Sequence, residues 1–325
     1  MEQNRTDRIP DLYVLVGLPG SGKTYVAENY FAEATHLSSD AIREEMYGDA
    51  NEQKNPSAVF NEMNNRLFRA LKNGENVVYD ATNINSRKRT ALVNDIHSRC
   101  PDTQCFCVIV LCSIKECKRR QDNRDRKVPG YVIDRMARNF QVPYFHEGWD
   151  AIYLHEAGEL QKITREHERL METSHDNPHH THSIGYHCTQ ALSAMTNLLA
   201  EQTEPTTTTE MDDVKAILKE AAYQHDIGKR KAKVFTNRKG EPSDIAHYYG
   251  HECLGAYMWL SGDEHAKWDD WSFLTIGLLI QWHMQPYALP HRSKEELVAW
   301  CKNRHFDPWI ADWIWLIHEA DQAAH

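Results

Sequence analysis

The sequence predicts an α/β domain with a parallel β-sheet, followed by an all-α domain. Up to about residue 158, short apolar runs alternate with helical patterns, which is typical of a parallel sheet with crossover helices. Beyond that residue the apolar positions recur at helical spacing. Histidine is also unevenly divided, since sixteen of the 19 lie in residues 151–325. We therefore expect domains at 1–158 and 159–325, with a charged connector helix over 159–172.

The elements of the first domain follow from the lengths of its apolar runs. Short buried runs of four to six residues predict strands at Leu12–Val16, Asn76–Tyr79 and Phe106–Leu111. Longer amphipathic patterns predict helices near 22–34, 57–73 and 86–98.

In the second domain the apolar residues between Trp309 and Ile317 form a stripe at helical spacing, which we interpret as core packing. The polar run Thr203–Thr209 is expected to be a surface loop.

Composition points to a soluble, cytoplasmic protein without a membrane partner. No apolar run approaches the ~20 residues that a membrane-spanning helix needs, and the N-terminus is charged. The eight cysteines form no Cys-x-x-Cys pair, and Cys105, Cys107 and Cys112 are expected to be buried hydrophobic residues. The net charge of -10 argues mildly against a nucleic-acid ligand. Residues 115–138, however, carry nine basic and four acidic side chains.

A phosphate-binding loop is predicted at Gly17–Thr24, where the spacing Gly-x4-Gly-Lys-Thr follows a strand and precedes a helix. Backbone N–H groups of such a loop, together with the helix N-terminus, hold phosphate oxygens. Lys23 would reach the β- and γ-phosphates of ATP or another nucleoside triphosphate, and Thr24 would bind Mg²⁺. The nucleotide-binding residues expected in the loop are Gly17, Gly20, Ser21, Gly22, Lys23 and Thr24.

Two acidic residues are placed near this loop by the predicted sheet. Asp40 follows a short strand at a helix start, where it would act either as a helix cap or as a general base. Arg43, on the same helix, could hold a phosphate of the acceptor. Asp80 ends a strand, at the sheet edge where ligands bind in α/β folds.

Arg120 and Arg124 lie four residues apart, so we expect them to share one face of a mobile helix over the phosphates. There they would neutralise charge in the transition state of phosphoryl transfer. The alternative for the basic stretch around them is a solvated helix face.

Residues 10–150 resemble the P-loop kinase domain of phage polynucleotide 5′-kinases. The resemblance includes the phosphate loop, Asp40-x-x-Arg43, the segment Asp80–Asn85 with Arg87, and the arginine pair before Pro129. It implies that Asp40 is the general base, that Arg43 binds the phosphate of the acceptor, and that Arg120 and Arg124 form a lid. Related P-loop proteins phosphorylate small molecules, so the acceptor stays open.

In the second domain, histidines and aspartates adjoin apolar helical sequence. Buried imidazoles and carboxylates without partners are costly, and a metal ion would supply the partner. The six positions are His187, His225, Asp226, His251, His283 and Asp321. We expect His179, His180 and His182 either at the rim of a site or in an exposed loop, and His325 to be inert.

The ordered His…His-Asp…His…His…Asp pattern resembles the HD phosphohydrolase superfamily over residues 170–325. The resemblance implies an all-helical HD domain with two metal ions bound by these six residues, Asp226 bridging the two. Lys229 would contact the substrate phosphate. Mixed imidazole and carboxylate ligands suit Mn, Fe, Co, Ni or Zn.

Together the two resemblances imply a bifunctional end-healing enzyme. It would phosphorylate the 5′-hydroxyl ends of RNA or DNA and remove 2′,3′-cyclic phosphate or 2′/3′-phosphate ends, and a ligase would act downstream. The first alternative is a small-molecule or nucleotide kinase fused to an HD nucleotidase. The second is a nonenzymatic, nucleotide-switched binding module.

Overall fold

A computed structural model describes residues 9–50, 52, 54–124, 127–178, 182–201 and 209–325. His179, His180, Asp125, Arg126 and most of the polar run 203–209 therefore lie outside the described residues. The chain divides into two compact units, the first comprising 1–133 with 143–159 and the second comprising 134–142 with 160–325.

The first unit contains a five-stranded parallel sheet with the strand order β2-β3-β1-β4-β5. Its strands are β1 (Asp11–Val16), β2 (Thr35–Ser38), β3 (Val77–Asp80), β4 (Gln104–Leu111) and β5 (Ala151–Glu156). The helices are α1 (Lys23–Tyr30), α2 (Ser39–Tyr47), α3 (Pro56–Lys72), α4 (Ser86–Arg99), α5 (Ile114–Asp122) and α6 (Gly130–Ala137), the last continuing past the boundary of the unit. β5 was not expected from the sequence.

Local sequence explains where these helices begin. The side chains of Ser38, Asn55, Asn85 and Ser113 cap helices α2, α3, α4 and α5, each accepting a hydrogen bond from a backbone N–H three residues later. Strand β3 is buried throughout and most residues of β1 and β4 are buried, as the apolar runs predict. Cys105, Cys107 and Cys112 are buried as well.

The second unit is mainly helical. Its helices are α7 (Ile163–Met171), α8 (Ile184–Glu201), α9 (Thr209–Gln224), α10 (Lys229–Ala232), α11 (His251–Leu260), α12 (Asp270–Trp282), α13 (Gln285–Ala288), α14 (Lys294–Lys302) and α15 (Pro308–Ala323). The stripe of α15 packs into the core as expected, since Ile310, Ile314 and Ile317 are fully buried. No helix of the described residues has the length and apolar composition needed to cross a bilayer.

The expectation of an all-α second domain is wrong in one respect. Strands β6 (Val234–Thr236) and β7 (Pro242–His247) form a two-stranded antiparallel ribbon between α10 and α11. The strand signal was missed because the ribbon is short and much of it is exposed, so it lacks a buried apolar run.

Candidate active sites

The phosphate loop links the carboxyl end of β1 to the N-terminus of α1. Gly20 and Gly22 have positive φ angles of 83° and 111°, which side-chain-bearing residues rarely adopt. A Cβ atom on Gly20 would also lie 2.5 Å from the Cys117 carbonyl oxygen. These two positions therefore require glycine, and the loop has the form that the sequence predicts.

Lys23 lies beneath this loop and is buried. Its ammonium donates hydrogen bonds to the carbonyl oxygens of Gly17 (3.0 Å) and Leu18 (2.9 Å). Burial lowers the pKa of Lys23 below its ordinary value, and the charges of Asp80 and Asp40 oppose that shift. Both carboxylates therefore lie within electrostatic reach of the lysine that would contact the phosphates.

Asp80, at the end of β3, contacts side chains of α1 and β2 at this edge of the sheet. Its Oδ2 accepts a hydrogen bond from Thr24 Oγ1 (3.0 Å) and lies 3.2 Å from His36 Nε2. The pairing of Thr24 with a buried aspartate provides the oxygen ligands that Mg²⁺ prefers. His36, which ends up here because β2 pairs with β3, was not singled out from the sequence.

Asp40 lies in the first turn of α2, but it is not the helix cap, since that role falls to Ser38. The Asp40 side chain is 57% exposed, and its Oδ1 accepts a hydrogen bond from Arg43 Nη1 (2.8 Å). Arg43 is buried and also donates to the Ala50 carbonyl oxygen (3.2 Å). The arginine therefore holds the carboxylate in place while leaving it accessible to an acceptor.

The two lid arginines do not share a helix face, contrary to expectation. Helix α5 ends at Asp122, so Arg124 lies beyond it. Arg120 is held in place by the phosphate loop and by the end of β5, donating to the carbonyl oxygens of Ser21 (3.0 Å) and Ala157 (2.5 Å). Arg120 thus fixes the loop.

The two arginines do line one cavity of about 610 Å³ beside the phosphate loop. Aromatic rings form another part of its wall, where Tyr30 meets His155 edge to face at 4.8 Å between ring centroids. The lining residues are Gly20, Gly22, Tyr25, Tyr30, Arg119, Arg120, Asn123, Arg124, His155, Glu156 and Ala157. The aromatic residues were missed because Tyr30 and His155 lie far apart in the sequence.

Glu116 organises the arginines of α5. Its carboxylate accepts two hydrogen bonds from Arg119 (2.5 and 2.6 Å) and one from Arg120 Nε (2.8 Å). Hydrogen bonds from Arg119 outweigh burial and, with those from Arg120, lower the pKa of Glu116 to about 2. The spacings i, i+3 and i, i+4 could have revealed this pairing from the sequence.

Glu116→Gln should therefore destabilise the protein by on the order of 2 kcal/mol at pH 7. Because the folded-state pKa is depressed, the stabilisation is present above the ordinary value of 4.5 and is lost as the pH falls towards 2. Urea unfolding should show a smaller difference from the unmodified protein at pH 3.5 than at pH 7. The exposed Glu28→Gln is the control, and a difference that does not depend on pH would contradict the assignment.

In the second unit the six predicted residues come together, although they lie on separate elements. They form two groups, His187 with His225 and Asp321, and Asp226 with His251 and His283, and within each group the donor atoms lie within 4.8 Å of one another. Asp226 faces both groups, with Oδ2 3.3 Å from His225 Nε2 and Oδ1 3.2 Å from His251 Nε2. This is the position expected of a bridging ligand.

Backbone carbonyls fix the orientation of three of the imidazoles. The Nδ1 atoms of His225, His251 and His283 lie 2.7, 2.8 and 2.7 Å from the carbonyl oxygen three residues earlier. Because a carbonyl only accepts hydrogen bonds, Nδ1 carries a proton and Nε2 faces the cluster, where it can bind a second proton or a cation. Imidazoles held in this way are typical metal ligands.

The donor atoms in the cluster face one another in a way that requires positive charge. The Nε2 atoms of His187 and His225 lie 3.2 Å apart, and those of His251 and His283 lie 3.3 Å apart. His187 Nε2 also lies 2.9 Å from Asp321 Oδ1, so it can carry a proton and donate it there. His251 and His283 both have a protonated Nδ1, and as neutral rings they would present two lone pairs that cannot hydrogen-bond to each other. A bound cation would satisfy both, so the donor set fits divalent metals.

The ionisation states in the cluster agree with this requirement. Burial lowers the pKa of His225, but Asp226 and Asp321 outweigh it and raise that pKa to about 10. Burial and the neighbouring imidazoles lower the pKa of His283 to about 3, so this ring stays neutral. The cluster therefore attracts positive charge, whether a proton or a metal ion.

Lys229 and two tyrosines complete the surroundings. Lys229 Nζ lies 2.5 Å from Asp226 Oδ2, and Tyr287 donates a hydrogen bond to Asp321 Oδ2 (2.8 Å). Tyr248 accepts a hydrogen bond from His251 through its backbone carbonyl. Tyr287 was missed because only the folded chain brings it to Asp321, whereas the Tyr248 contact is made by its backbone carbonyl and does not depend on residue type.

The remaining histidines have different positions. His182 is exposed and contacts Tyr186, at 4.5 Å between ring centroids. His325, expected to be inert, lies beside the cluster, with Nε2 3.9 Å from Asp321 Oδ1. His175 is buried against His187, at 5.6 Å between ring centroids.

A third set of possible donors, His97, Cys105 and Asp150, lies in the first unit. There the Asp150 carboxylate accepts a hydrogen bond from the Cys105 backbone N–H (2.6 Å). This bond attaches the segment before β5 to the start of β4.

Comparison with known proteins concerns mainly the first unit. Residues 12–143 match a family model described as an AAA domain. An L-seryl-tRNA(Sec) kinase of Methanococcus maripaludis is 28% identical over 149 residues, which cover 43% of this chain and 56% of that protein. The chain thus spans about half the length of the curated relative it matches. With the parallel sheet and the phosphate loop, these matches show a kinase-like P-loop domain in the N-terminal region.

Solved structures are more distantly similar. A chain of the Pnkp1/Rnl/Hen1 RNA repair complex is 23% identical, with a TM-score of 0.36, and 43% of this chain and 46% of that chain are covered. A putative kinase from Chloroflexus aurantiacus is 14% identical, with a TM-score of 0.38, and the match covers 46% of this chain and 90% of that chain. A fungal RNA kinase is 14% identical, with a TM-score of 0.35, and the match covers 64% of this chain and 48% of that chain.

Proposed function

We propose that the protein heals broken nucleic-acid ends, with a 5′-hydroxyl kinase in the first unit and a metal-dependent phosphoesterase in the second. The observation that carries the proposal is the presence in one chain of two separate groups of residues suited to phosphate chemistry. One is the phosphate loop with Asp40 and Asp80, and the other is the cluster of four histidines and two aspartates. End healing needs both chemistries on one substrate.

In the kinase reaction, an acceptor hydroxyl attacks the γ-phosphorus of a nucleoside triphosphate, and Asp40 accepts the hydroxyl proton. The bond from the γ-phosphorus to the β,γ-bridging oxygen breaks, and the nucleoside diphosphate leaves. Lys23 stabilises the negative charge that develops on the transferred phosphoryl group. Arg124, which lines the cavity beside the loop, can add to this stabilisation. Mg²⁺ held by Thr24 and Asp80 would neutralise phosphate charge.

A polynucleotide acceptor is supported by two observations. The curated relative is, by its name, a kinase for a seryl group carried on a tRNA, so its acceptor hydroxyl is attached to RNA. The basic stretch 115–138 carries five more positive than negative charges in a chain with a net charge of -10. Phosphate backbones attract such a local excess.

In the second unit, His187, His225, Asp226 and Asp321 would hold one divalent metal ion, and His251 and His283 would hold another with Asp226 between them. Such a pair of ions activates water and stabilises the leaving oxygen when bound. Lys229 would neutralise charge on the phosphate that is cleaved. These residues make the unit an HD-type phosphohydrolase in this proposal.

End-group analysis tests the proposal directly. An RNA with a 5′-hydroxyl and a 2′,3′-cyclic phosphate is incubated with the full chain, with and without ATP and with Mn, Fe, Co, Ni or Zn. We expect a 5′-phosphate only with ATP, and a 3′ end cleared of phosphate only with a transition metal. The products, a 5′-phosphate and a 3′-hydroxyl, are the ends that a ligase joins. Phosphoryl transfer to free nucleosides but not to RNA would instead favour the small-molecule kinase.

The aromatic cavity should hold the nucleobase of the triphosphate. Tyr30→Ala should raise KM for ATP about tenfold, because it removes an aromatic contact worth roughly 1–3 kcal/mol. Steady-state kinetics at saturating acceptor measure the effect. Tyr153→Ala, which removes another exposed ring of the same unit, is the control. Equal effects of the two changes would exclude Tyr30 as a nucleobase contact.

A further inference from the structure

Along the chain, the ribbon of the second unit lies between Asp226 and His251 of the cluster. We refer to residues 233–249 as the arm. Its two ends adjoin α10, which begins at Lys229, and α11, which begins at His251. A substrate held by the arm would therefore lie at the segments that carry a metal ligand and the phosphate-contacting lysine.

Contacts at the base of the arm attach it to the cluster. The Tyr248 carbonyl accepts the hydrogen bond of His251 Nδ1 (2.8 Å), and Lys229 Nζ lies 5.5 Å from the centroid of the Tyr248 ring. The Ala246 backbone N–H donates to the Asp176 carbonyl oxygen (2.8 Å), which fixes β7 to the segment before α8. The arm is thus anchored where the phosphate would be bound.

The arm also presents rings next to cations. Phe235 is 48% exposed, with Lys233 Nζ 5.8 Å from its centroid. The Arg238 guanidinium lies 5.4 Å from the centroid of Tyr249, and His247 stacks on Tyr249 at 5.2 Å with 9° between the ring planes. Exposed aromatic and guanidinium planes are the surfaces on which unpaired nucleobases stack.

The exposed positive charge at the tip of the ribbon is complementary to a nucleic-acid backbone. Residues 229–239 contain six basic and no acidic side chains. Three of the six form ion pairs with carboxylates elsewhere in the unit: Lys229 with Asp226, Arg230 with Glu166 and Lys233 with Asp176. Arg238 and Lys239, at the tip of the ribbon, are exposed. A free nucleotide would need only the phosphate site, whereas a chain of nucleotides would extend along these cations.

We propose that the arm binds the single-stranded 3′-terminal segment of a polynucleotide and stacks its bases on Phe235 and Arg238 while the terminal phosphate lies at the cluster. The proposal rests on the phosphoesterase function proposed above and specifies its substrate as a polymer end. Two surface side chains then determine the preference for a polymer over a mononucleotide.

Two variants of the full chain, Phe235→Ala and Arg238→Ala, test the arm. The substrates are a single-stranded RNA ten nucleotides long with a 3′-terminal phosphate, and bis-p-nitrophenyl phosphate, which has no bases. For each variant, KM for the RNA should rise about tenfold relative to KM for the small substrate, and Phe235→Trp should restore the original ratio. Arg304→Ala is the matched control, because Arg304 makes a similar contact over Trp300 (4.0 Å).

The arm proposal would be overturned if the ratio of KM for the RNA to KM for the small substrate were the same in the two variants as in Arg304→Ala. Absence of turnover on both substrates with any transition metal would instead overturn the phosphoesterase function. In that case the binding of the same RNA, measured by fluorescence anisotropy, still decides about the arm. A dissociation constant raised about tenfold in Phe235→Ala supports the proposal, and an unchanged one rejects it.

Discussion

Asp226→Ala should abolish phosphoesterase activity, with a loss of at least about 10³-fold, and should remove bound metal from the protein. Replacing a residue that only orients a metal ligand typically lowers metal affinity or activity roughly 10–100-fold. Replacing a carboxylate that faces both groups should lower the activity more. The effect should be confined to one reaction, since Asp226 belongs to the second unit and the phosphate loop to the first. Phosphoesterase and kinase assays on the same preparation, with metal content by mass spectrometry, measure the result.

Asp226 is buried, so its replacement needs controls for folding. Asp226→Asn keeps the volume and removes the charge, and the exposed Asp213→Ala on helix α9 is the matched control. A circular dichroism spectrum and a urea-unfolding transition that match those of Asp213→Ala demonstrate that the variant is folded. If a folded Asp226 variant lost both activities, the two-site interpretation would be wrong, and if it kept its metal and its phosphoesterase activity, the ligand assignment would be wrong.

Asp40→Asn should lower the rate of phosphoryl transfer to a 5′-hydroxyl by roughly 10²–10⁴-fold, the range typical of a general base. The amide oxygen can still accept the hydrogen bond from Arg43, so the geometry of α2 should persist. Binding of ATP should change little, because the proposed phosphate and Mg²⁺ contacts come from Lys23, Thr24 and Asp80. Label transfer from ATP to a 5′-hydroxyl oligonucleotide measures the rate.

Asp95→Asn provides the matched control for Asp40, since Asp95 is an exposed aspartate of the first unit that makes only a surface ion pair with Arg99 (3.2 Å). Phosphoesterase activity should be unchanged in both variants. If Asp40→Asn weakened ATP binding as much as it slowed transfer, Asp40 would position the nucleotide instead of accepting a proton.

The predicted and the observed positions of Arg120 and Arg124 differ more than those of the other site residues. Helical spacing predicts a shared face for Arg120 and Arg124, but α5 ends at Asp122. Spacing describes only neighbours on one helix, whereas Arg120 is fixed by carbonyl oxygens of Ser21 and Ala157, which belong to other elements. Its partners could not be found from periodicity.

The same distinction applies to the second unit. Residue type and an adjoining apolar pattern singled out His187, His225 and Asp321 as candidate ligands. Neither feature could identify Tyr287, because tyrosines beside apolar helices are common and its contact with Asp321 depends on how α13 packs. The ribbon itself lacks the buried apolar run by which strands are recognised.

By itself the sequence determined the phosphate loop, the alternation of strands and helices, and the identity of the candidate ligands. Each depends on residues close together in the chain, where spacing fixes backbone conformation directly. Only the tertiary structure decided that four imidazoles and two carboxylates converge, and that rings from α1 and β5 form one cavity wall. Such convergence results from the packing of separate elements around buried cores, and packing depends on shapes and contacts that distance along the chain does not specify.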